Sequence, residues 1–364
     1  MLTDRLGIDV ECRYLHGSRQ AWHLPSLSGA ITETDLTWIM DPGRHRSVTS
    51  VLTRLGLDPQ KVEHELESAG LAAPHWDREL SDSELSSLCS VIQHPAVEAM
   101  ILEITGQKRE VALDYFQQEG LFDSIPMGIV DLGWRGQMFN SLSRMLEHRG
   151  GRIPVPFLFG FSGSRDPDLL ADREVYLFDD HRDDRFMFSN IQNLMEVFCS
   201  GCEGRTNGYQ QTAIGVKPVL SESANAAMTE WGGIPEMKGA VNRFATEFRD
   251  YMHLADPEAD VRHVVFQLLS AFWERPKLDE ARAWGSFPYE DDQSGLRRET
   301  LAAPFTSSTL PLVSRLRPGP SYWSPLWYHG SLVLSNPMFR QLAKARRFIG
   351  IRRSQLREML QRRT

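Results

Sequence analysis

The chain has 364 residues, 41% apolar and 24% charged, with 40 Lys and Arg against 48 Asp and Glu. That is enough chain for two or three domains with cores of their own, at an ordinary globular composition. No apolar run reaches the ~18–20 residues that cross a bilayer, and the four cysteines Cys12, Cys89, Cys199 and Cys202 are too few for a disulfide scaffold. The acidic opening Met1–Asp9 lacks the apolar stretch of a signal peptide, so the expected compartment is the cytoplasm. The net charge of −8 is uneven: Leu296–Thr364 holds 13 basic and 2 acidic residues, which leaves 27 basic and 46 acidic residues in the rest. A basic tail on an acidic body docks either on that body or on something anionic.

In chain order, residues 9–25 read as an arm or short strand leading into a helix. From Thr34 to about Leu121 the pattern is helical. Val48, Val51, Leu52 and Leu55 recur at helical spacing, Asp58-Pro59 opens a further helix, and Ser81-Asp-Ser-Glu84 is a capping box. This stretch, residues 1–122, is expected to be a small helical, winged-helix-like domain. Its acidity excludes nucleic acid, which needs phosphate neutralisation. A helix at Arg109–Glu119 leads to a strand at Met127–Asp131, a loop Leu132–Gly136, a helix at Gln137–His148 and a second strand at Ile153–Phe161. Val175–Phe178 reads as a third strand and Ile191–Cys199 as an amphipathic helix. The β-loop-α-β order predicts α/β class, with a Rossmann-like parallel three-layer unit over 123–235. A helical region over 236–364 follows, with helices at Lys238–Leu254 and Asp256–Trp273, aromatic loops, and a basic amphipathic helix from Asn336 onward.

The chemistry concentrates at Asp131-Leu-Gly-Trp-Arg-Gly136. An acid closing a strand, followed by glycines and a helix, lies where open α/β sheets bind ligands. Gly133 and Gly136 would let the backbone approach a phosphate over the helix N-terminus at Gln137. Arg135 would contact that phosphate, Trp134 would stack on a base or sugar, and Asp131 would accept from a hydroxyl. The bland alternative is a tight turn with Asp131 as helix cap and Trp134 in the core. The spacing is neither a dinucleotide fingerprint nor a P-loop. A polar loop with Arg205, Thr206, Asn207 and Tyr209 is expected on the same rim as a second set of ligand contacts.

Three further groups carry weaker signals. Asp166-Pro-Asp168 reads as a turn before it reads as a cation site, and Asp179–Asp184 as a solvated loop. Cys199-Ser-Gly-Cys202 is half a zinc site with no second pair. The aromatic stretches Ala283–Asp292 and Ser321–Gly330, with Trp273, Trp284, Trp323 and Trp327, suit packing on the body better than sugar stacking.

Tyr115-Phe-Gln-Gln-Glu-Gly-Leu121 and Gly128-Ile-Val-Asp-Leu-Gly-Trp-Arg-Gly136 resemble the region downstream of the phosphatase-like core in haloacid-dehalogenase-like proteins of bacterial polysaccharide gene clusters. Arg13-Tyr-Leu-His-Gly-Ser-Arg19, Tyr176-Leu-Phe-Asp179 and Glu196–Ser200 extend that resemblance over roughly residues 10–240. It implies glycan assembly beside a glycosyltransferase. The hydrolase signature, an apolar strand ending in Asp-x-Asp, is absent near the N-terminus, as if the chain began where that core had ended. The expected function is therefore binding of a nucleotide-sugar or sugar phosphate at the Asp131 loop, by a glycosyltransferase-like or degenerate enzyme. The alternatives are a non-catalytic scaffold recruiting a glycosyltransferase or an anionic membrane through the C-terminal helix, and a hydrolase homologue lacking its catalytic core.

Overall fold

The computed structural model describes residues 6–40, 46–161, 173–179, 191–201, 203–254, 256, 259–289, 299–307, 309–310 and 325–348. They form a mixed α/β protein. Two compact units make up the chain, one from Met1–Met187, Phe198–Arg262 and Glu290–Arg298, the other from Phe188–Val197, His263–Tyr289 and Glu299–Thr364.

In the first unit an extended arm enters α1 (Arg19–Ser26), capped by Ser18, whose Oγ accepts from Ala21 N. Short helices follow: α2 (Glu33–Ile39), α3 (Val48–Arg54) and, after a 3-10 turn at Pro59–Val62, α4 (Glu63–Ser68). The expected capping box opens α5 (Asp82–Ile92): Ser81 Oγ accepts from Glu84 N, and the Glu84 carboxylate accepts from Ser81 N at 2.9 Å. The Arg78 guanidinium and the Ser81 bonds hold the Glu84 carboxyl far below its usual range.

The helix expected at Arg109–Glu119 is longer. It is α6 (Pro95–Gln118), 24 residues with Pro95 in the first turn, where a missing N–H is harmless. At 1.5 Å per residue it is about 36 Å long and so serves two cores. Val97 and Ile101 pack with Leu24, Leu52, Leu55, Leu88 and Ile92. Ala112, Leu113, Tyr115 and Phe116 pack with Trp22, Leu142, Met145 and Leu146.

Next come β1 (Gly128–Trp134), α7 (Gln137–His148), β2 (Val155–Phe161) and β3 (Glu174–Asp179). They make a three-stranded sheet in the order β1-β2-β3, with both pairs parallel. Val130 pairs Phe157 and Phe157 pairs Glu174; Asp131 pairs Leu158 and Leu158 pairs Val175. One face carries Ile129 toward the buried α7 side chains Leu142, Met145 and Leu146.

α8 (Ile191–Phe198), all but its last residue in the second unit, precedes a hairpin of β4 (Thr206–Thr212) and β5 (Gly215–Leu220). The hairpin packs on α1 and α6, not beside β3. Gln118 fastens it, donating from Nε2 to Val216 O at 3.0 Å and accepting from Val216 N at 2.8 Å. α9 (Glu222–Trp231) and α10 (Gly233–Arg249) complete this unit. α10 begins five residues before the expected Lys238 because Gly232, left-handed at φ 70°, supplies the turn that starts it.

The second unit continues with α11 (Arg262–Glu274), α12 (Leu278–Gly285), the short pair β6 (Pro288–Tyr289) and β7 (Glu299–Thr300), α13 (Tyr328–Leu334) and α14 over residues 337–348. The expected packing of the aromatic segments holds for Trp273 and Trp327. Both are buried, with rings stacked at 5.2 Å and Trp327 Nε1 donating to Trp273 O at 2.6 Å. Trp323 lies outside the described residues.

The C-terminal helix α14 packs by one face within the second unit. Phe339, Leu342 and Ala343 pack with Phe305, Leu310 and Leu332, whereas Met338 is exposed. Arg340 sets that rotation by donating to the carbonyls of Leu332, Val333 and Ser335 at the end of α13. Residues 349–364 of the expected basic helix lie outside the described residues. Among the described residues no single helix is long and apolar enough to cross a membrane.

Ser81→Ala removes the hydroxyl that accepts from Glu84 N and donates to the Glu84 carboxylate, and keeps the bond from Ser81 N. It should lower stability by about 1 kcal/mol, read as a shift of the urea midpoint at unchanged slope.

Candidate functional site

β1 runs three residues past the expected strand end, so Asp131 is not at a tip. It pairs Leu158 in mid-strand and is half-buried, on the face that carries Ile129. The backbone turns instead at Gly133, Trp134 and Gly136, with φ of 96°, 67° and 66°. Gly133 is required twice over, by that φ and because a Cβ there would lie 2.2 Å from Gly160 O. Trp134 is the one non-glycine with positive φ among the described residues. That conformation costs roughly 1–2 kcal/mol. Its ring lies 6.4 Å from the Phe178 ring and over Gly160, so Trp134 packs across the strand ends, half-buried.

Beyond it, Arg135 is exposed, and Gly136 is the N-cap of α7. Among the described residues this helix has no side-chain cap hydrogen bond, and no acid sits in its first turn. Its leading N–H groups and the positive end of its dipole therefore face the carboxyl rim of the sheet beside a guanidinium. One turn in, Asn140 keeps its Oδ1 away from solvent with no hydrogen-bond partner among the described residues. Gly133, Trp134, Arg135, Gly136 and Gln137 are thus brought together, and Asp131 sits just below them in the same strand.

The second expected set is elsewhere. Arg205, Thr206, Asn207 and Tyr209 lie in or beside β4, on the hairpin and not on the rim of the parallel sheet. Thr206 is buried, and its carbonyl accepts from Ser18 Oγ. Asn207 Oδ1 accepts from Arg205 Nε at 3.3 Å. Tyr209 Oη accepts from Trp22 Nε1 at 2.6 Å and donates to His16 O at 2.6 Å, while its ring stacks on Tyr115 at 4.5 Å. Tyr115 Oη accepts from His16 N at 3.2 Å. Burial pushes the Tyr115 hydroxyl up to about 12 and the Tyr209 hydroxyl further up still. These tyrosines are neutral struts holding the arm against α1 and α6.

Sequence reasoning missed a buried pair between α1 and α7: His23 Nδ1 and Ser141 Oγ share a short hydrogen bond. Burial first, then the charges of Arg19 and Arg144, holds the His23 imidazole well below its ordinary range. The only sequence signal was Ser141 on the apolar face of α7, which reads as a small core residue.

Asp166, Asp168, Asp180–Asp184 and Cys202 lie outside the described residues, and no group of three or more His, Cys, Asp or Glu suited to a metal occurs among the described ones. No family model and no curated protein matches the chain.

Tyr209→Phe should destabilise the protein by about 1–3 kcal/mol, since it strands the Trp22 donor. Differential scanning calorimetry reads this as a lower Tm.

His23 is neutral in the fold and takes up a proton more readily when unfolded. Its contribution is therefore fully present above about pH 6.5 and is lost as pH falls from there toward its depressed folded value. In urea titrations between pH 8 and pH 5, wild type should lose up to about 1.4 kcal/mol per pH unit below pH 6.5 from this group. His23→Gln should lack that component.

Proposed function

We propose that the protein binds a phosphorylated sugar or a nucleotide-sugar at the carboxyl rim of its parallel sheet, as a cytoplasmic component of glycan assembly. The observation that carries this reading is the N-terminus of α7, without a side-chain cap among the described residues, beside exposed Arg135 at the carboxyl end of parallel strands. Anions bind helix N-termini through unpaired N–H groups, and open α/β sheets take ligands outside their carboxyl ends. Arg135 contacts phosphate in a forked, charge-assisted geometry. The half-exposed Trp134 ring offers its remaining face to base or sugar, and the Asn140 amide supplies a polar atom one turn in.

The β1–α7–β2 order supports a Rossmann-like reading of this unit, and the Gly128–Gly136 block supports kinship with the haloacid-dehalogenase-like proteins it resembles. The Trp134 backbone fits too, because strain held in a non-glycine residue accompanies binding sites more often than plain turns.

A second reading, a non-catalytic scaffold that recruits a glycosyltransferase, draws on the exposed apolar side chains of the first unit, among them Phe244 and Tyr251. Membrane association would fall to exposed basic residues of α14 such as Lys344 and Arg347.

A thermal-shift panel of nucleotide-sugars and sugar phosphates tests the rim, because a ligand that prefers the folded state raises Tm. Arg135→Ala should weaken an anionic hit by about 1.5–3 kcal/mol with the ligand-free Tm unchanged. A hit of undiminished affinity in the variant, or no hit across the panel, would remove the rim as the site.

A further inference from the structure

Parallel sheets occur almost only with both faces covered, because their crossover helices lie on them. Among the described residues one face is covered by α7 and the other is not. The open face carries Val130 on β1, Val155 and Phe157 on β2 and Tyr176 on β3, with Val130 75% exposed. Phe159 lies on the same face, edge-on to Tyr176 at 5.8 Å. Among the described residues this face has one charge, Glu174 at the start of β3. The outer edge of β1 pairs with no strand among the described residues. Water against so apolar a layer is unfavourable, and an exposed patch of this kind marks an interaction surface.

The same unit has a helix with the opposite deficiency. α10 buries Ile234, Met237 and Ala245 but exposes Val241, Phe244 and Phe248, with Tyr251 just beyond its end. Their spacing of three, four and three residues draws one stripe along the helix. Phe244, 66% exposed, stacks on Phe248 at 5.6 Å.

We propose that these two surfaces are the two halves of one interface, and that the protein is a twofold dimer in which α10 of each copy covers the open sheet face of the other. Each surface supplies what the other lacks. The sheet needs an amphipathic helix, and the helix needs an apolar layer. Their lengths agree, since 17 helical residues span about 25 Å and a seven-residue strand about 23 Å. The exposed Arg243 and Arg249 of α10 suit the lone Glu174 at the margin of the face.

Area decides for a second copy over an unrelated partner. Either surface alone offers about half of a standard interface, whereas the reciprocal pair offers roughly 800 Å² per copy, counting aromatic side chains at ~150–250 Å² each and matching the usual area per partner. A rotation that satisfies both contacts at once also closes the assembly at two chains.

Sedimentation velocity of the full chain across the micromolar range should show a dimer in equilibrium with monomer. Phe244→Asp and Val130→Asp change exposed side chains, so each should keep the circular dichroism spectrum while raising the dissociation constant by roughly tenfold or more. Should Val130→Asp unfold the chain, Tyr176→Thr on the same face takes its place. A mixture of the two variants retains one intact contact of the two and should associate more tightly than either variant alone. A monomeric wild type overturns the proposal. So does a Phe244→Asp dimer of wild-type strength, which would mean that sheet faces pair with each other. A Val130→Asp dimer of wild-type strength overturns it in turn, since helices would then pair with helices. A mixture no more associated than its components overturns it as well.

Discussion

The first unit depends on α6, and α6 depends on one buried cation. Arg109 lies at its middle, where one core ends and the other begins, and donates from Nε to Pro25 O at 2.6 Å and from Nη2 to Leu27 O. Thr105, one turn earlier, donates to Leu27 O as well. These carbonyls belong to the end of α1, where Pro25 has left the chain unable to continue its own ladder. The positive side chain thus stops one helix by completing its unpaired acceptors and crosses it against another. The cost is visible, since burial lowers the Arg109 pKa and no carboxylate hydrogen-bonds its guanidinium among the described residues. Removing it would take the Arg109 donors from the Pro25 and Leu27 carbonyls, in the region where the arm, the hairpin and α7 all meet that helix.

That arrangement explains which parts of the fold could be read in advance. The capping box at Ser81, the Pro59 start and the β1–α7–β2 succession each rest on rules that act within a few residues, and each appears where the sequence put it. The full length of α6 was hidden because its two halves face different cores, so no single apolar stripe runs along it. β4 was hidden for another reason. Thr206-Asn-Gly-Tyr-Gln-Gln-Thr212 is a polar strand whose only core-directed aromatic is Tyr209, and such a run looks like a loop until α1 and α6 are beside it. Its role changed with its place: residues chosen for a ligand rim bind the arm of the chain itself.

The Asp131 block was legible as a special turn but not in its register. Sequence placed the bend after Asp131 because an acid commonly closes a strand. In the structure the bend waits for Gly133, the first position where the backbone can pass Gly160 O. Three residues of extra strand carry the turn past Asp131 and leave it in mid-strand. The acid is therefore poorly placed to meet a ligand directly, and among the described residues the electropositive elements at the rim are the α7 N-terminus and Arg135. If the rim binds a ligand as proposed, that balance would favour anions by charge and leave discrimination among sugars to the aromatic surface of Trp134.

The uncovered sheet face bears on that rim. Leu132 and Phe159 stand on the open side of the sheet one residue below the turn, half-buried rather than exposed. With water on that side, the field of the helix terminus and of Arg135 is screened, and their pull on a phosphate is modest. With a helix laid across Val130, Phe157 and Tyr176, the dielectric beneath the turn falls, and the same charges act over the same distances with greater effect. Trp134 would also lose freedom to leave its left-handed conformation, so less ordering would be left for a ligand to impose. Assembly and anion affinity would then rise together, because the surface that a second copy would cover is the floor of the turn proposed to hold the anion.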